Sequence, residues 1–187
     1  MIIYLEGPDG SGKSTLLRNL TKVLQRNWRV DAYANMIIPT HPARNGRVSE
    51  KVLYSELKKM ANDKQVIYIV DRGPISDIVY RVFDDYSQVT TLSKLTEFMR
   101  DNFKGIYTIY CCSSKAEENM FKRGDDNPIA LTKHKEITRV YNLVMNVLQS
   151  AVKYNITTYD YNKRGDFKKI MQSVEYFCCM GMKGGKL

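Results

Sequence analysis

Close to its start the chain reads Gly7-Pro8-Asp9-Gly10-Ser11-Gly12-Lys13-Ser14-Thr15. This stretch follows a short apolar run, residues 2–5, and precedes leucine and valine residues at helical spacing over 16–24. A strand, a loop of the form G-x-x-x-x-G-K-[ST] and a helix in this order predict a phosphate-binding P-loop. The glycines allow a tight turn that aims backbone N–H groups at an anion, and the helix adds its positive N-terminal end.

Two side chains of this loop are predicted to complete a triphosphate site. Lys13 can reach the β- and γ-phosphates of ATP, and the Ser14 hydroxyl can bind Mg²⁺. We therefore expect residues 7–15 to bind ATP as phosphoryl donor, with Mg²⁺ as the cofactor.

The composition predicts one globular domain over residues 1–180, followed by a flexible tail at 181–187. The chain has 187 residues, of which 43% are hydrophobic and 26% charged, as is typical of globular proteins. No apolar run approaches the roughly 18 residues of a membrane span, and no signal peptide precedes the first strand. We therefore expect a cytoplasmic protein without a membrane partner.

Neither the cysteines nor the histidines suggest a metal centre. The four cysteines form two adjacent pairs, Cys111-Cys112 and Cys178-Cys179. They show no C-x-x-C spacing and no ligand spacing with His41 or His134, so a zinc site is not expected.

The net charge of +9 suits a polyanionic partner. Nucleic acid is one such partner, but an enzyme that holds two phosphorylated small molecules needs the same excess of cations. Because the cations are spread along the chain rather than gathered in one block, nucleic acid binding is considered but not favoured.

Strand and helix patterns alternate along the whole chain. Strands are predicted over 2–6, 30–34, 66–70, 106–112 and 156–160. Helices are predicted over 13–25, 48–61, 74–82, 92–102, 116–122, 132–153 and 167–177. Such alternation predicts an α/β fold of the P-loop NTPase type, with a five-stranded, mostly parallel sheet flanked by helices.

Polar residues follow three of the predicted strands. They are the P-loop after the first strand, Asp71-Arg72 after the third and Asp160 at the end of the fifth. In open parallel sheets ligands bind beyond the carboxyl ends of the strands. The sequence therefore predicts one nucleotide site at this edge, where Asp71 can approach the metal or its waters.

The segment after the third strand also carries a family resemblance. Residues 71–81 read Asp-Arg-Gly-Pro-Ile-Ser-Asp-Ile-Val-Tyr-Arg, which resembles the DR[YHF]-x-x-S-x-x-A-Y-Q element of thymidylate kinases. Glu6-Gly7-Pro8-Asp9-Gly10 looks like the E-G-x-D-G form of the P-loop in that family. The spacing from Pro39 to Gly46 resembles its F-P…G segment, and Lys122-Arg123 its lid. The resemblance covers about residues 1–175.

This resemblance implies transfer of the γ-phosphoryl group of ATP to a deoxynucleoside monophosphate, with dTMP converted to dTDP. It implies that Lys13, Arg72 and Arg123 are catalytic, with Arg123 in a short lid over about 123–131. Ser14 and Asp71 would hold Mg²⁺. The residues expected to bind the acceptor are Asp9, Arg44, Arg47, Arg72, Ser76 and Tyr80. Thymidylate kinases are commonly homodimers, so the resemblance implies that state too.

Three departures from the family pattern fall in the expected acceptor site. His41 stands where the family has an arginine that holds the acceptor, and Arg44 or Arg47 can take that role. Gly73 replaces an aromatic residue, and Arg81 replaces a glutamine. The acceptor base is therefore left open by the sequence.

Two other functions also stay open at this point. One is a phosphotransferase on the same fold that acts on a free deoxynucleoside or on a hydroxyl of DNA. The other is a non-catalytic protein that binds nucleotides or nucleic acid, since a fold does not fix a function.

Overall fold

The structure is a computed structural model that describes residues 1–34, 50–83, 91–123, 128–151 and 155–182. Five strands form one sheet, in the order β2-β3-β1-β4-β5, and every strand pair is parallel. Their bounds are β1 Ile2–Glu6, β2 Arg29–Ala34, β3 Val66–Asp71, β4 Ile106–Cys111 and β5 Ile156–Tyr159. The predicted α/β architecture is therefore confirmed.

Helices cover both faces of this sheet. Within the described ranges they are α1 Lys13–Leu24, α2 Glu50–Asn62, α3 Pro74–Arg81, α4 Leu92–Asp101, α5 Ala116–Arg123, α6 Pro128–Ala151 and α7 Asp166–Gly181. The helices α1 and α7 pack into one hydrophobic cluster. The helices α2, α3, α4 and α6 pack into a second cluster on the opposite face.

The strand β1 lies at the centre of the sheet, between β3 and β4, and both of its faces are covered by helices. All five of its residues are buried, which explains a continuous apolar run rather than an alternating one. Leu5 pairs with Asp71 of β3, and Glu6 pairs with Tyr110 of β4. This register brings the carboxyl ends of three strands to one edge of the sheet.

Most predicted element bounds agree with the structure to within two residues, but α6 and α7 differ more. The helix α6 begins at Pro128 instead of 132, since proline is well suited to the first turn of a helix. The helix α7 runs to Gly181 instead of 177, because Cys178 and Met182 are buried in the core. The flexible tail predicted from 181 is therefore wrong at its first two positions, and 183–187 lie outside the described residues.

Both ends of the predicted lid, 123–131, are helical. Arg123 is the last residue of α5, and residues 128–131 belong to α6. Residues 124–127 lie outside the described part of the chain. Within the described helices, none combines the length and the apolar character needed to cross a bilayer.

Candidate active site

The loop between β1 and α1 has the backbone shape that the motif predicts. Gly7 and Gly10 have φ angles of 143° and 73°, which L-residues with a side chain rarely adopt. A Cβ at Gly7 would also collide with the carbonyl of Cys111, and one at Gly10 with the carbonyl of Ala116. The two glycines therefore permit both the turn and its close packing against β4 and α5.

Lys13 lies folded against this loop. Its Nζ donates a hydrogen bond of 2.7 Å to the Pro8 carbonyl and one of 3.4 Å to Ser11 Oγ. Burial and, to a smaller extent, the neighbouring Arg72 charge lower the pKa of Lys13 to about 8, although the negative charge of Asp9 opposes this change. A buried ammonium of this kind gains from an incoming polyphosphate, which supplies the missing negative charge.

Ser14 and Asp71 lie side by side at the ends of neighbouring elements. Ser14 Oγ donates to Asp71 Oδ2 at 3.4 Å, and Asp71 Oδ1 is buried without a hydrogen-bond partner among the described residues. A buried carboxylate oxygen without a partner is costly. The pair is therefore suited to a hard cation with oxygen ligands.

Arg72 has an unusual backbone. Its φ of 67° makes it the one non-glycine residue with a positive φ in the described ranges. This conformation costs on the order of 1–2 kcal/mol for an L-residue. The Arg72 N–H donates to the Leu5 carbonyl at 3.0 Å, and the next N–H, of Gly73, donates to Glu6 Oε1 at 2.8 Å. These two bonds to β1 hold the turn in place.

The strained turn directs the Arg72 side chain back to the P-loop. Its Nη2 forms an ion pair with Asp9 Oδ1, and its guanidinium carbon lies 4.9 Å from the centroid of the Tyr80 ring. The Tyr80 hydroxyl donates to the other oxygen of Asp9 at 2.9 Å. Arg72 Nη1 is buried without a described partner, so one donor is left for a further acceptor.

Burial and charge act in opposite directions on Asp9. Burial works to raise the pKa of this carboxyl, but the charges of Arg72 and Lys13 and the hydrogen bond from Tyr80 outweigh it. The pKa therefore lies below its ordinary value, and Asp9 is a carboxylate at neutral pH.

A second carboxyl, that of Glu6, is fully buried next to the turn at Arg72 and Gly73. Ser76 Oγ donates to Glu6 Oε2, and the Tyr141 hydroxyl lies 2.7 Å from Ser76 Oγ. Because the only proton of Ser76 goes to Glu6, Tyr141 donates to Ser76. Burial raises the pKa of Glu6 to about 7, although the hydrogen bonds from Ser76 and Gly73 oppose the rise. The motif contains Glu6, but its role in holding the Arg72 turn was not predicted.

Gly73 replaces the aromatic residue of the family pattern for a packing reason. A Cβ at Gly73 would lie 2.7 Å from Cδ1 and Cε1 of Tyr4 and 3.0 Å from Glu6 Oε1. Tyr4, on β1, is itself fully buried. The ring that fills this volume therefore comes from β1, and Gly73 packs against the core.

The helix α6 also reaches the P-loop, through a residue that sequence reasoning did not place in the site. His134 Nε2 lies 3.2 Å from the Asp9 carbonyl. A carbonyl only accepts, so Nε2 carries the proton in this contact. The preceding residue, Lys133, has non-helical angles of φ −119° and ψ 17° inside α6.

The structure brings together most of the predicted site residues that it describes. The P-loop, Asp71, Arg72 and Tyr80 meet at the carboxyl edge of the sheet. Ser76 lies in the buried network of Glu6 and Tyr141. Arg44, Arg47 and His41 fall in 35–49, outside the described residues, and the role predicted for the Arg123 side chain stays a prediction.

No protein-family model matches this sequence, and no curated protein sequence matches it either. Solved structures do share the fold. The YorR protein of Bacillus subtilis, in complex with phosphorylated GDP, is 23% identical, with a TM-score of 0.63 over 94% of this chain and 96% of that one. Thymidylate kinase from Candida albicans is 16% identical, with a TM-score of 0.56 over 94% and 91% of the two chains.

Deoxyadenosine kinase from M. mycoides, with the products dCMP and dCDP bound, is similar to the same degree. It is 18% identical, with a TM-score of 0.56 over 94% of this chain and all of that one. At these identities the likeness shows the fold, which is that of P-loop kinases. It does not single out thymidylate kinases among them.

Proposed function

We propose that this protein transfers the γ-phosphoryl group of ATP to a deoxynucleoside monophosphate, with dTMP as the acceptor. The observation that carries the proposal is the group formed by Arg72, Asp9 and Tyr80 beside the P-loop. A largely buried guanidinium whose Nη1 has no partner among the described residues suits a second phosphate close to the triphosphate site. The nucleotide ligands named for the YorR protein and for deoxyadenosine kinase support the same class of substrate.

On the donor side, the loop amides and Lys13 would hold the phosphates of ATP. The Lys13 ammonium would leave the Pro8 carbonyl for the β- and γ-phosphate oxygens, which are stronger acceptors for a charged donor. Because Lys13 is buried, its charged form is stabilised when a negatively charged group binds next to it. Arg123, at the end of α5, would neutralise the group in transfer, as the family resemblance implies.

The donor set of Ser14 and Asp71 fits Mg²⁺, because the Ser14 hydroxyl lies next to a buried carboxylate whose other oxygen has no partner among the described residues. Within the described ranges no group of three His, Cys, Asp or Glu side chains could hold a metal. Ser14 and Asp71 would therefore share the ion with water and phosphate oxygens, as Mg²⁺ prefers. Bound there, the ion would neutralise charge on the β- and γ-phosphates.

On the acceptor side, we expect one exchange of partners. The acceptor phosphate would bind Arg72 through Nη1 and displace Asp9 from Nη2. Asp9 would then be free to accept a hydrogen bond from a sugar hydroxyl of the acceptor, the contact that the family resemblance implies. Tyr80 would keep both groups in position, through its ring and its hydroxyl.

The protonation of the nucleophile favours a monophosphate over a free nucleoside. The second pKa of a phosphate monoester is about 6, so its oxygen is already deprotonated at neutral pH. A nucleoside hydroxyl needs a general base within hydrogen-bond reach. Of the carboxylates around Arg72, Asp9 is held in its ion pair and Glu6 has both oxygens engaged. The third, Asp71, is the one proposed to bind the metal together with Ser14.

A nucleoside kinase is the second candidate, because the fold is shared with deoxyadenosine kinase. The experiment is a transfer assay with labelled ATP, Mg²⁺ and, one at a time, dTMP, dUMP, dCMP, dGMP and dAMP, with products separated by chromatography. We expect labelled diphosphate, most rapidly from dTMP. A preference for another monophosphate would refute dTMP as the acceptor but not the transfer to a monophosphate. Transfer to none of them would refute the whole proposal.

A further inference from the structure

One face of the molecule is unusual in its charge. The helices α1 and α7 lie on the same face of the sheet, since Leu16, Leu20 and Leu24 of α1 and Ile170 and Val174 of α7 belong to one hydrophobic cluster. Helices packed side by side on a sheet are about 10 Å apart. Side chains on their outer surfaces therefore form one continuous surface, although about 140 residues separate them in sequence.

The helix α1 presents only positive charge on this surface. Arg18 and Lys22 lie on α1, and Arg26 lies in the turn that follows it; the three are spaced four residues apart and are all exposed. Arg18 and Lys22 are about 6 Å apart along the helix axis, and Arg26 extends this stripe just beyond the end of the helix. No acidic residue occurs between Asp9 and Asp31, and none of the three cations is ion-paired with a described residue.

The start of α7 extends this stripe. Lys168 and Lys169 are exposed in its first turn. The loop before α7 touches the start of α1, since a Cβ at Gly12 would lie 2.7 Å from Cδ1 of Tyr161. The nearby Asp166 accepts a hydrogen bond from the Asp160 N–H. We call the surface of Arg18, Lys22, Arg26, Lys168 and Lys169 the basic face.

The opposite face provides an internal comparison. There, exposed charges of both signs alternate along the helices, as on an ordinary solvated surface. On α2 the side chains of Glu56 and Lys59 are 2.7 Å apart in an ion pair. On α6, Glu136 lies between Lys135 and Arg139. The exposed cations of α1 therefore lack the acidic neighbours that the exposed cations of α2 and α6 have.

We propose that the basic face binds the phosphodiester backbone of nucleic acid, independently of the nucleotide site. A row of cations without ion-pair partners in the described part of the chain matches a row of phosphates, and binding would release the counterions that the nucleic acid condenses. A membrane surface fits less well, because a helix that lies on a bilayer needs an exposed apolar side. Leu16, Leu20 and Leu24 of α1 are buried in the core and Leu17 is partly buried against it, while the exposed residues of this helix are all polar or charged.

The test measures binding of the full chain to fluorescently labelled 20-mers of single-stranded DNA, duplex DNA and RNA. The measurements are made by anisotropy between 50 and 200 mM salt, with saturating Mg²⁺ and ATP present. Each phosphate contact contributes roughly 0.9 to the slope of log affinity against log salt concentration. Five such contacts therefore predict that the affinity for duplex DNA falls several-hundredfold between 50 and 200 mM salt. The three arms distinguish which nucleic acid is bound.

The decisive variant replaces Arg18, Lys22 and Arg26 with glutamine. We expect its affinity at 50 mM salt to fall at least about tenfold and its salt slope to fall by about 2 to 3. The matched control replaces Lys58, Lys135 and Arg139, exposed cations of the opposite face, and loses the same net charge. Phosphoryl transfer to small acceptors should be unchanged in both variants, since none of the six residues belongs to the candidate active site.

Three results would overturn the inference. One is the absence of binding to all three nucleic acids at 50 mM salt. Another is an equal loss of affinity in the two variants, which would mean that net charge alone is responsible. The third is binding to vesicles of phosphatidylserine without binding to nucleic acid. Failure of phosphoryl transfer would leave this test intact, because the binding is measured directly.

Discussion

The guanidinium of Arg72 stacks on the ring of Tyr80, with 4.9 Å between its carbon and the ring centroid. The Tyr80 hydroxyl meanwhile donates to the same Asp9 carboxylate that pairs with Arg72. One aromatic residue thus supports both charges of the candidate acceptor site.

Tyr80→Phe removes the hydroxyl and keeps the ring. Loss of one hydrogen bond to a charged group, about 1.5–3 kcal/mol, predicts an increase in the acceptor KM of roughly tenfold or more. The turnover number should change little, because the guanidinium keeps its stacking partner. Steady-state kinetics with varied acceptor measures both constants. Tyr80→Leu, which also loses the ring, should raise the KM further, and equal effects of the two variants would contradict the stacking role.

Arg72→Lys tests whether the fixed arrangement of N–H donors on the Arg72 guanidinium is needed to bind the acceptor. Lysine keeps the charge but cannot hold Asp9 and a phosphate at once with fixed geometry. We expect kcat/KM for the acceptor to fall at least about 30-fold, in keeping with the 2–5 kcal/mol typical of buried charge pairs. Calorimetric affinity for ATP should stay within about twofold. Arg100→Lys, on the exposed surface of α4, is the control, and a parallel loss of ATP affinity would argue against an acceptor role.

Glu6→Gln tests the buried carboxyl through the pH dependence of stability. The pKa of Glu6 rises from 4.5 in the unfolded chain to about 7 in the folded protein. Between pH 4.5 and pH 7 the carboxyl is therefore protonated in the folded state but ionised in the unfolded chain. The stability that Glu6 contributes is fully present below pH 4.5 and is lost as the pH rises through about 7. The loss amounts to about 3 kcal/mol, because a pKa difference of one between the two states corresponds to about 1.4 kcal/mol.

Urea denaturation of the wild type and of Glu6→Gln, from pH 4.5 to 7.5, measures this loss. The other titrating groups are common to both proteins and cancel in the difference of unfolding free energies. We expect that difference to change by about 3 kcal/mol in favour of the variant as pH rises. A difference that does not vary with pH would show that Glu6 titrates as it does in the unfolded chain.

The fold and the donor side of the site could be predicted from sequence because local patterns determine them. The P-loop needs its glycines, Lys13 and Ser14 in fixed order, and the buried strands are continuous apolar runs. The turn at Arg72 could not be predicted, since its positive φ depends on bonds to Leu5 and Glu6, more than 60 residues away. The basic face was missed for the same reason, because it exists only once α1 and α7 share a face.

Gly73→Ala tests the packing between the Arg72 turn and β1. An added methyl group would press on the ring of Tyr4 and on Glu6, at a cost of about 1–3 kcal/mol in unfolding free energy. In a Tyr4→Leu background the ring is absent, so the same substitution should cost much less. A double-mutant cycle by chemical denaturation measures this coupling.

Gly165→Ala is the control for this cycle. Gly165 has a φ of 90°, but no neighbouring atom of the described residues lies within 4 Å of an added Cβ. Its substitution should cost the same, about 1 kcal/mol, with either residue at position 4. Additive effects of Gly73→Ala and Tyr4→Leu would contradict the contact.

The most direct test of the proposed function compares dTMP with thymidine, which differ only in the phosphate that Arg72 would bind. The measurement is the rate of label transfer from ATP to each acceptor by the wild-type protein, with Lys13→Ala as the variant expected to lose transfer while remaining folded. We predict that kcat/KM for dTMP exceeds that for thymidine by roughly 1000-fold or more, which corresponds to about 4 kcal/mol of phosphate binding. Equal or faster transfer to thymidine would contradict the account, and so would undiminished turnover in Lys13→Ala.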